Sequence, residues 1–342
     1  MSNIYKLSSS HIYSIFKLIK IIKKSNRIFI ASGSHVSEIL EFHMRTHETD
    51  VFLTFNIDRF VAKFYKNKFF KYALLKFLNV DCNDKALILF NTGDRCVIDM
   101  LHSIFKNCHI YIKYVDIISD IFKDKNKFFK CLDGVVSTDS YSRKDALNYN
   151  LLYIPNLVNK NKLLEFVKNS KEKTDTFLFL GLYSEARFKS LVALLDKFKN
   201  TSVKFNFMLL IDEEKIDDIK YRVNNVNSLY KYKAFTLFTQ KISYKEYLSL
   251  FAKSAGIIDF YRLESDEGYS YRVFECIATN KKLITNRNLT DESFYNKELI
   301  YNIDTDSLDD FSTFINSKAQ YNSTYIDSLQ NYLKSSYIPK NS

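Results

Sequence analysis

The sequence predicts an α/β protein of two domains, each a parallel sheet covered by helices. Three observations predict it. The chain has 342 residues, too many for one ordinary core and enough for two α/β domains of about 150 residues each. Short apolar runs alternate with amphipathic stretches almost throughout, the pattern of successive βαβ units. The alternation restarts after Pro155, the first of only two prolines. Pro155 therefore reads as the hinge between a first domain over 1–155 and a second over 156–320, with a C-terminal helix and tail over 321–342.

In the first domain strands are expected at 27–32, 51–55, 86–91, 109–115 and 134–138, with helices such as 36–45, 60–78 and 95–105 between them. In the second, strands are expected at 176–180, 204–211, 256–260, 282–285 and 299–303, and helices at 186–198, 244–252, 271–278 and 308–316. A last helix over 325–333 has no strand after it. Two Rossmann-like halves are the economical architecture, and a ligand is then expected beyond the carboxyl ends of the strands, in the cleft between the halves. Of only six glycines, Gly33, Gly93 and Gly181 fall just after expected strands and Gly268 precedes an expected helix. Those are places where the backbone turns sharply or approaches a ligand. Neither G-x-G-x-x-G nor a P-loop occurs.

Composition narrows the classes. Apolar residues make up 46%, which excludes global disorder. Five cysteines without C-x-x-C spacing read as buried thiols in a reducing compartment. No apolar run approaches the ~20 residues that span a bilayer, so a cytoplasmic protein, soluble or peripheral at the inner face of the plasma membrane, is expected. The net charge of +11 is uneven: residues 1–150 carry 23 Lys+Arg against 15 Asp+Glu, and 151–342 carry 27 against 24. The more positive first half suggests an anionic partner there, or only solubility. Without an RRM, helix-turn-helix or zinc-finger signature, nucleic acid is not the expected partner. The segment 60–78 holds Lys63, Lys66, Lys68, Lys71 and Lys76 and no acid, interleaved with aromatics. It suits an anionic membrane surface, or else a core-packing helix with a solvated lysine face.

The most informative stretch runs Glu267-Gly268-Tyr269-Ser270-Tyr271-Arg272-Val273-Phe274-Glu275 and continues through Lys281-Lys282-Leu283-Ile284-Thr285-Asn286. It reads as loop, helix, turn, strand. The helix start near Ser270 offers N–H groups to an anion. Glu275, among apolar neighbours, needs a hydrogen-bonding partner, and a ribose diol is a good one. This stretch resembles the GT-B glycosyltransferases, many of whose retaining members carry two glutamates separated by seven residues in the form E-G-[FS]-G-x-x-x-x-E-A, the spacing of Glu267 and Glu275. It is more similar still to bacterial capsule, lipooligosaccharide and O-antigen transferases with G-L-T-M-R-x-F-E-x-L-A-x-x-K-K-L-I-T-x-N. Ile110 to Asp116, the segment Leu132-Asp133-Gly134-Val135-Val136-Ser137-Thr138-Asp139, Ile154-Pro155-Asn156, and Tyr244-Lys245-Glu246-Tyr247-Leu248 with Ile257-Ile258-Asp259 extend the similarity over roughly 85–305. The group's D-K-G-R phosphate loop stands here as Ser184-Glu185-Ala186-Arg187, keeping only Arg187, with Lys189 nearby.

The resemblance implies a GT-B fold, two Rossmann-like domains facing across a cleft with a C-terminal helix crossing back. It implies transfer of a sugar from a nucleotide sugar to a glycan, lipid-linked or lipopolysaccharide acceptor, with retention and without a metal or other cofactor. Growing charge on the leaving diphosphate needs fixed positive groups. Arg187, Lys189, Arg272 and the helix start at Gly268 and Ser270, with Gly181, are the expected donor site. Glu275 is expected on the donor ribose and Glu267 on the donor sugar hydroxyls. An inverting enzyme would need a base in the first domain; Asp116 is the first candidate and His35 the second, beside Gly33 on the acceptor side. Duller readings stand beside these: Arg272 pairing along its helix, Lys281 and Lys282 as a solvated turn, Asp116 as an N-cap. His43 and His47 lack a third ligand, so zinc is not expected, and the Asp304 and Asp306 pair reads as a turn. The rival functions are a sugar-nucleotide epimerase and a basic nucleic-acid-binding or scaffold protein.

Overall fold

The computed structural model describes residues 4–6, 24–31, 34–54, 65–77, 80–81, 85–91, 95–115, 118, 124–133, 135–170, 172–230, 233–261, 268–335 and 337. The chain divides into two units. The first comprises Met1–Leu157, Glu267–Tyr269 and Asn331–Ser342, the second Val158–Asp266 and Ser270–Gln330. The division therefore falls two residues beyond the expected one. The segment expected as a separate piece over 321–342 is itself divided. Tyr325 packs against Phe274 and Phe294 of the second unit, at 6.4 and 5.2 Å between ring centroids, whereas Tyr337 donates to Asp139 of the first.

In the first unit a seven-stranded sheet runs β1-β3-β2-β5-β7-β8-β9. Its strands are β1 (Ile4–Lys6), β2 (Arg27–Ala31), β3 (Val51–Thr54), β5 (Ala86–Phe90), β7 (His109–Tyr114), β8 (Ser137–Ser140) and β9 (Leu152–Tyr153). Every pairing is parallel. Each residue of β2 and β5 is buried, as in a parallel sheet covered on both faces. The helices are α1 (Ser34–Met44), α2 (Lys68–Phe77), α3 (Arg95–Ile104), α4 (Lys125–Leu132) and α5 (Arg143–Tyr149). A two-stranded ladder of β4 (Val80–Asp81) and β6 (Phe105–Lys106) lies beside them. The helix expected over 60–78 is interrupted at Asn67: residues 65–66 are helical and α2 runs from Lys68, with the Asn67 carbonyl accepting from Lys71 N at 2.9 Å. Residues 60–64 and 78 lie outside the described residues. The strand expected at 134–138 begins instead at Ser137, because Val135 N closes the turn after α4 onto Leu132 O.

The second unit is a six-stranded parallel sheet, β12-β11-β10-β13-β14-β15. Its strands are β10 (Thr176–Leu182), β11 (Lys204–Leu210), β12 (Phe235–Phe238), β13 (Gly256–Asp259), β14 (Lys282–Thr285) and β15 (Ile300–Asn302). In chain order this is the doubly wound arrangement, third-second-first-fourth-fifth-sixth, whose order reverses between its first and fourth strands, β10 and β13. The helices are α6 (Lys160–Lys168), α7 (Glu185–Phe198), α8 (Ile216–Ser228), α9 (Tyr244–Lys253), α10 (Tyr271–Thr279), α11 (Leu308–Asn316) and α12 (Ser323–Ser335). A phenylalanine-rich core fills it, with Phe198 and Phe311 3.8 Å apart between centroids. Lys281, read above as one of a solvated pair, is buried; its ammonium donates to the Ala252 and Ser254 carbonyls at the end of α9. Asp306 closes the turn after β15 by accepting from Asn302 N at 2.6 Å. Among the described residues no helix is long and apolar enough to cross a membrane.

Candidate functional site

The order reversal puts the ends of β10 and β13 side by side, and the helices that follow them are α7 and α10. β13 ends on Asp259, buried to 1% exposure. Its carboxylate gathers three partners. Arg287 Nε donates to Oδ2 at 2.7 Å, Ser270 Oγ donates to Oδ1 at 2.9 Å, and Arg272 Nη1 lies 3.8 Å from Oδ1. Burial alone would push this carboxyl up, but Arg287 and Arg272 hold it below the usual carboxylate range, so it is ionised. Arg272 thus pairs with a strand residue rather than along its own helix.

Ser270 is the N-cap of α10, extended at φ −67 and ψ 162, yet its side chain does not cap. Ser184, Ser243 and Ser307 do cap, each accepting from the N–H three residues on. In α10 the hydroxyl is spent on Asp259 instead, so no side chain of the N-cap residue satisfies the first-turn N–H groups.

Arg187, on the first turn of α7, spans the two strand ends. Its Nε donates to Phe260 O at 3.2 Å and its Nη1 to Leu182 O at 3.3 Å. Gly181 makes room: a Cβ there would stand 3.1 Å from the Phe179 ring and 3.5 Å from Arg187 Nη1. Two guanidinium groups and the Ser270 hydroxyl therefore meet one carboxylate, and a third guanidinium holds the neighbouring backbone carbonyls. Lys189 is exposed on α7, and its charge acts on Glu185. Glu185 takes both guanidinium nitrogens of Arg222 at 2.9 Å and the Tyr183 hydroxyl at 3.0 Å. Those bonds pull its carboxyl down to about 2.

Glu275 is at 0% exposure. Its Oε1 accepts from Tyr244 OH at 2.5 Å and its Oε2 from Tyr247 OH at 2.6 Å. Two tyrosines of α9 thus hold the carboxylate expected to meet the ribose. Gly268 and Tyr269 belong to the first unit, where a Cβ on Gly268 would meet Tyr141 Cε2 at 2.0 Å and Tyr269 O accepts from Asn156 Nδ2 at 2.9 Å. Gly268 is accordingly required by the Tyr141 ring.

In the first unit the ends of β7 and β8 carry Lys113 and Asp139, both buried, with Lys113 Nζ donating to Asp139 Oδ1 at 2.8 Å and Tyr337 OH to Oδ2 at 2.7 Å. Glu267, Asp116, Gly33 and Lys63 lie outside the described residues. His35 is in α1. His43 is buried in α1 with its ring on Phe42, and His47 is exposed beyond the helix end. Lys66 and Lys68 are exposed and Lys71 half-buried; beside them Phe69 is 73% and Tyr72 61% exposed.

The structure therefore brings together Arg187, Gly181, Ser270 and Arg272 around the ends of β10 and β13. Sequence reasoning missed Arg287 and the organising role of Asp259. The available signals were an arginine two residues after a strand and an aspartate closing another.

No protein-family model and no curated protein matches the sequence. Solved structures do. An α,α-trehalose-phosphate synthase (UDP-forming) from Burkholderia vietnamiensis is 8% identical with a TM-score of 0.52, covering 91% of this chain and 92% of its own. The N-terminal domain of Candida albicans trehalose-6-phosphate phosphatase is 11% identical with a TM-score of 0.53, covering 90% and 94%. An α-glucosyltransferase in complex with UDP and a 13-mer DNA is 14% identical with a TM-score of 0.56, covering 90% of each chain. The chain has the two-domain GT-B fold.

Proposed function

We propose that this protein is a glycosyltransferase that moves a sugar from a nucleoside-diphosphate sugar to a glycan or lipid-linked acceptor of a bacterial surface polysaccharide. The observation that supports the reading is the gathering of Arg187, Arg272 and Arg287 at the reversal point of the second sheet, beside the start of α10. That is the place and the charge a leaving diphosphate requires. The likeness to UDP-forming and UDP-bound transferases supports a uridine donor. In the retaining course, the bond from the anomeric carbon to the diphosphate breaks and the acceptor oxygen bonds to that carbon on the same face. The acceptor proton passes to the leaving phosphate oxygen. Arg187 and Arg272 stabilise the charge that develops, and Glu267 takes the donor sugar hydroxyls. Those side chains supply the positive charge, so the reaction is expected to run without a metal.

Capsule or lipopolysaccharide chemistry rests on the resemblance of the 267–286 stretch. Docking on an anionic membrane rests on the lysines around α2 and on exposed Phe69 and Tyr72. Two experiments test the reading. A thermal-shift panel of nucleotides and nucleotide sugars should single out one donor class, because a selective ligand stabilises the native state by mass action; a flat panel overturns it. Co-sedimentation with phosphatidylglycerol vesicles should fall when Lys63, Lys66, Lys68 and Lys71 become Gln, since each lysine near such a surface contributes about 1 kcal/mol. Equal binding by both proteins removes the membrane from the proposal. Duplex DNA belongs in the acceptor assay, given the DNA-bound neighbour.

A further inference from the structure

We propose that Tyr141 and Asn156 are positioning residues for the donor diphosphate: they grip Gly268 and Tyr269, the two residues that lead into the start of α10. The inference rests on the nucleotide-sugar reading above and deepens it.

The grip is built at one corner of the first sheet. β8 and β9 run parallel with Ser140 opposite Tyr153, so the residues that follow each strand leave the sheet at the same edge. Tyr141 follows Ser140 directly, and its N–H is fixed on Tyr114 O at 3.0 Å. Asn156 comes three residues after Tyr153, and its approach is fixed as well. Ile154 N donates to Ser140 O at 3.0 Å, Ile154 O accepts from Lys113 Nζ at 3.2 Å, and the ring of Pro155 locks its own φ. The buried Lys113–Asp139 pair therefore anchors this corner.

Gly268 and Tyr269 belong to the first unit, and Ser270, one peptide bond on, belongs to the second. Three successive residues are each held by a different group. The Tyr141 ring covers Gly268 so closely that a Cβ there would stand 2.0, 2.5 and 2.6 Å from Cε2, Cζ and Cδ2. Asn156 Nδ2 donates to Tyr269 O at 2.9 Å. The Ser270 hydroxyl donates to Asp259 Oδ1 at 2.9 Å. Successive Cα atoms keep a separation of about 3.8 Å, so a displacement of Tyr269 passes to Ser270 and to the first-turn N–H groups of α10. Those groups are the ones an anion would meet, and their hydrogen bonds weaken steeply with misalignment.

Asn156 carries a second mark. It is 2% exposed, and its Oδ1 accepts no hydrogen bond among the described residues. A buried amide oxygen without a partner costs stability. Packing alone does not account for an asparagine here; holding Tyr269 does.

The test is titration calorimetry of UDP and UMP on wild type, Gly268→Ala, Tyr141→Ala, the double variant G268A/Y141A and Asn156→Ala, each with its urea unfolding midpoint. The added methyl of Gly268→Ala should push the loop off the ring and weaken UDP by ~10-fold or more, the scale of a lost hydrogen bond to a charged group. UMP, which lacks the second phosphate, should lose less. Removing the ring should restore UDP affinity, so that G268A/Y141A binds more tightly than Gly268→Ala, the non-additivity of groups in contact. Asn156→Ala should weaken UDP by about 3- to 10-fold, the scale of one neutral hydrogen bond. Its midpoint should stay close to wild type, because the orphaned oxygen leaves with the side chain, and it covers the case in which Gly268→Ala does not fold. Wild-type UDP affinity in Asn156→Ala, or a double variant no tighter than Gly268→Ala, overturns the grip. Equal losses on UDP and UMP, or losses that simply follow the midpoint, overturn the link to the diphosphate in favour of packing. Wild type that binds neither nucleotide overturns the functional reading itself and this role with it, and is visible before any variant is made.

Discussion

The carboxyl edges of the two sheets handle buried charge in opposite ways. In the first unit Lys113 meets Asp139 one to one, with Tyr337 on the remaining oxygen. In the second, Asp259 faces Arg272 and Arg287 while Arg187 holds the adjacent backbone. Among the described residues, one buried cation meets one buried carboxylate at the first edge, and two guanidinium groups meet one carboxylate at the second. The first half of the chain nevertheless carries the larger net charge in sequence. Net charge therefore says little about where an anion binds. It does not report the local balance between buried cations and buried carboxylates.

Removing one partner from each pair tests the comparison hardest. Lys113→Ala and Arg287→Ala each strip a buried carboxylate of a direct partner, and each should cost about 3–5 kcal/mol in urea unfolding. Only Arg287→Ala should also weaken UDP beyond what its lower stability explains. Loss of UDP affinity in folded Lys113→Ala would mean the edges are not distinct.

Arg272 is less buried and its removal leaves Asp259 with Arg287. Arg272→Gln should therefore weaken UDP by roughly 10- to 100-fold, corresponding to about 1.5–3 kcal/mol, with the unfolding midpoint nearly unchanged. A large drop in midpoint with intact UDP binding would make Arg272 part of the scaffold.

A third contrast sets Lys113, paired with a carboxylate, against Lys281, whose hydrogen bonds go to the Ala252 and Ser254 carbonyls. Burial pushes the Lys281 ammonium from 10.5 down to about 8. Between those values the unfolded chain holds a proton that the native state has lost. Stability should therefore rise with pH across about 8 to 10.5, by about 3 kcal/mol at most from this group. Lys281→Met should flatten that rise in pH-dependent denaturation, and an unchanged slope would remove Lys281 as its source.

The smallest effect belongs to the surface trio of half-buried Tyr183 and Arg222 with exposed Glu185. Arg222→Gln should return the Glu185 carboxyl from about 2 towards 4.5, visible by NMR titration. Stability should change by less than about 1 kcal/mol, because solvent screens an exposed pair.

The sequence by itself determined the alternation of strands and helices, the two α/β halves and the stretch from Gly268 to Asn286 that holds the cationic helix start. These follow from hydrophobic period, glycine placement and local spacing, which are properties of neighbours along the chain. Only the tertiary structure decided that Ser270 turns from its helix to Asp259, that Arg287 joins the site from the end of β14, and that the Glu275 oxygens go to Tyr244 and Tyr247. It likewise decided that Gly268 answers to the ring of Tyr141. Each of those pairings joins residues from separate elements, at sequence separations of 11, 28, 31 and 28 for the hydrogen bonds. Periodicity sorts a residue to a face of its own element; which side chain meets it there is set by the order of strands in the sheet and the packing of helices upon it.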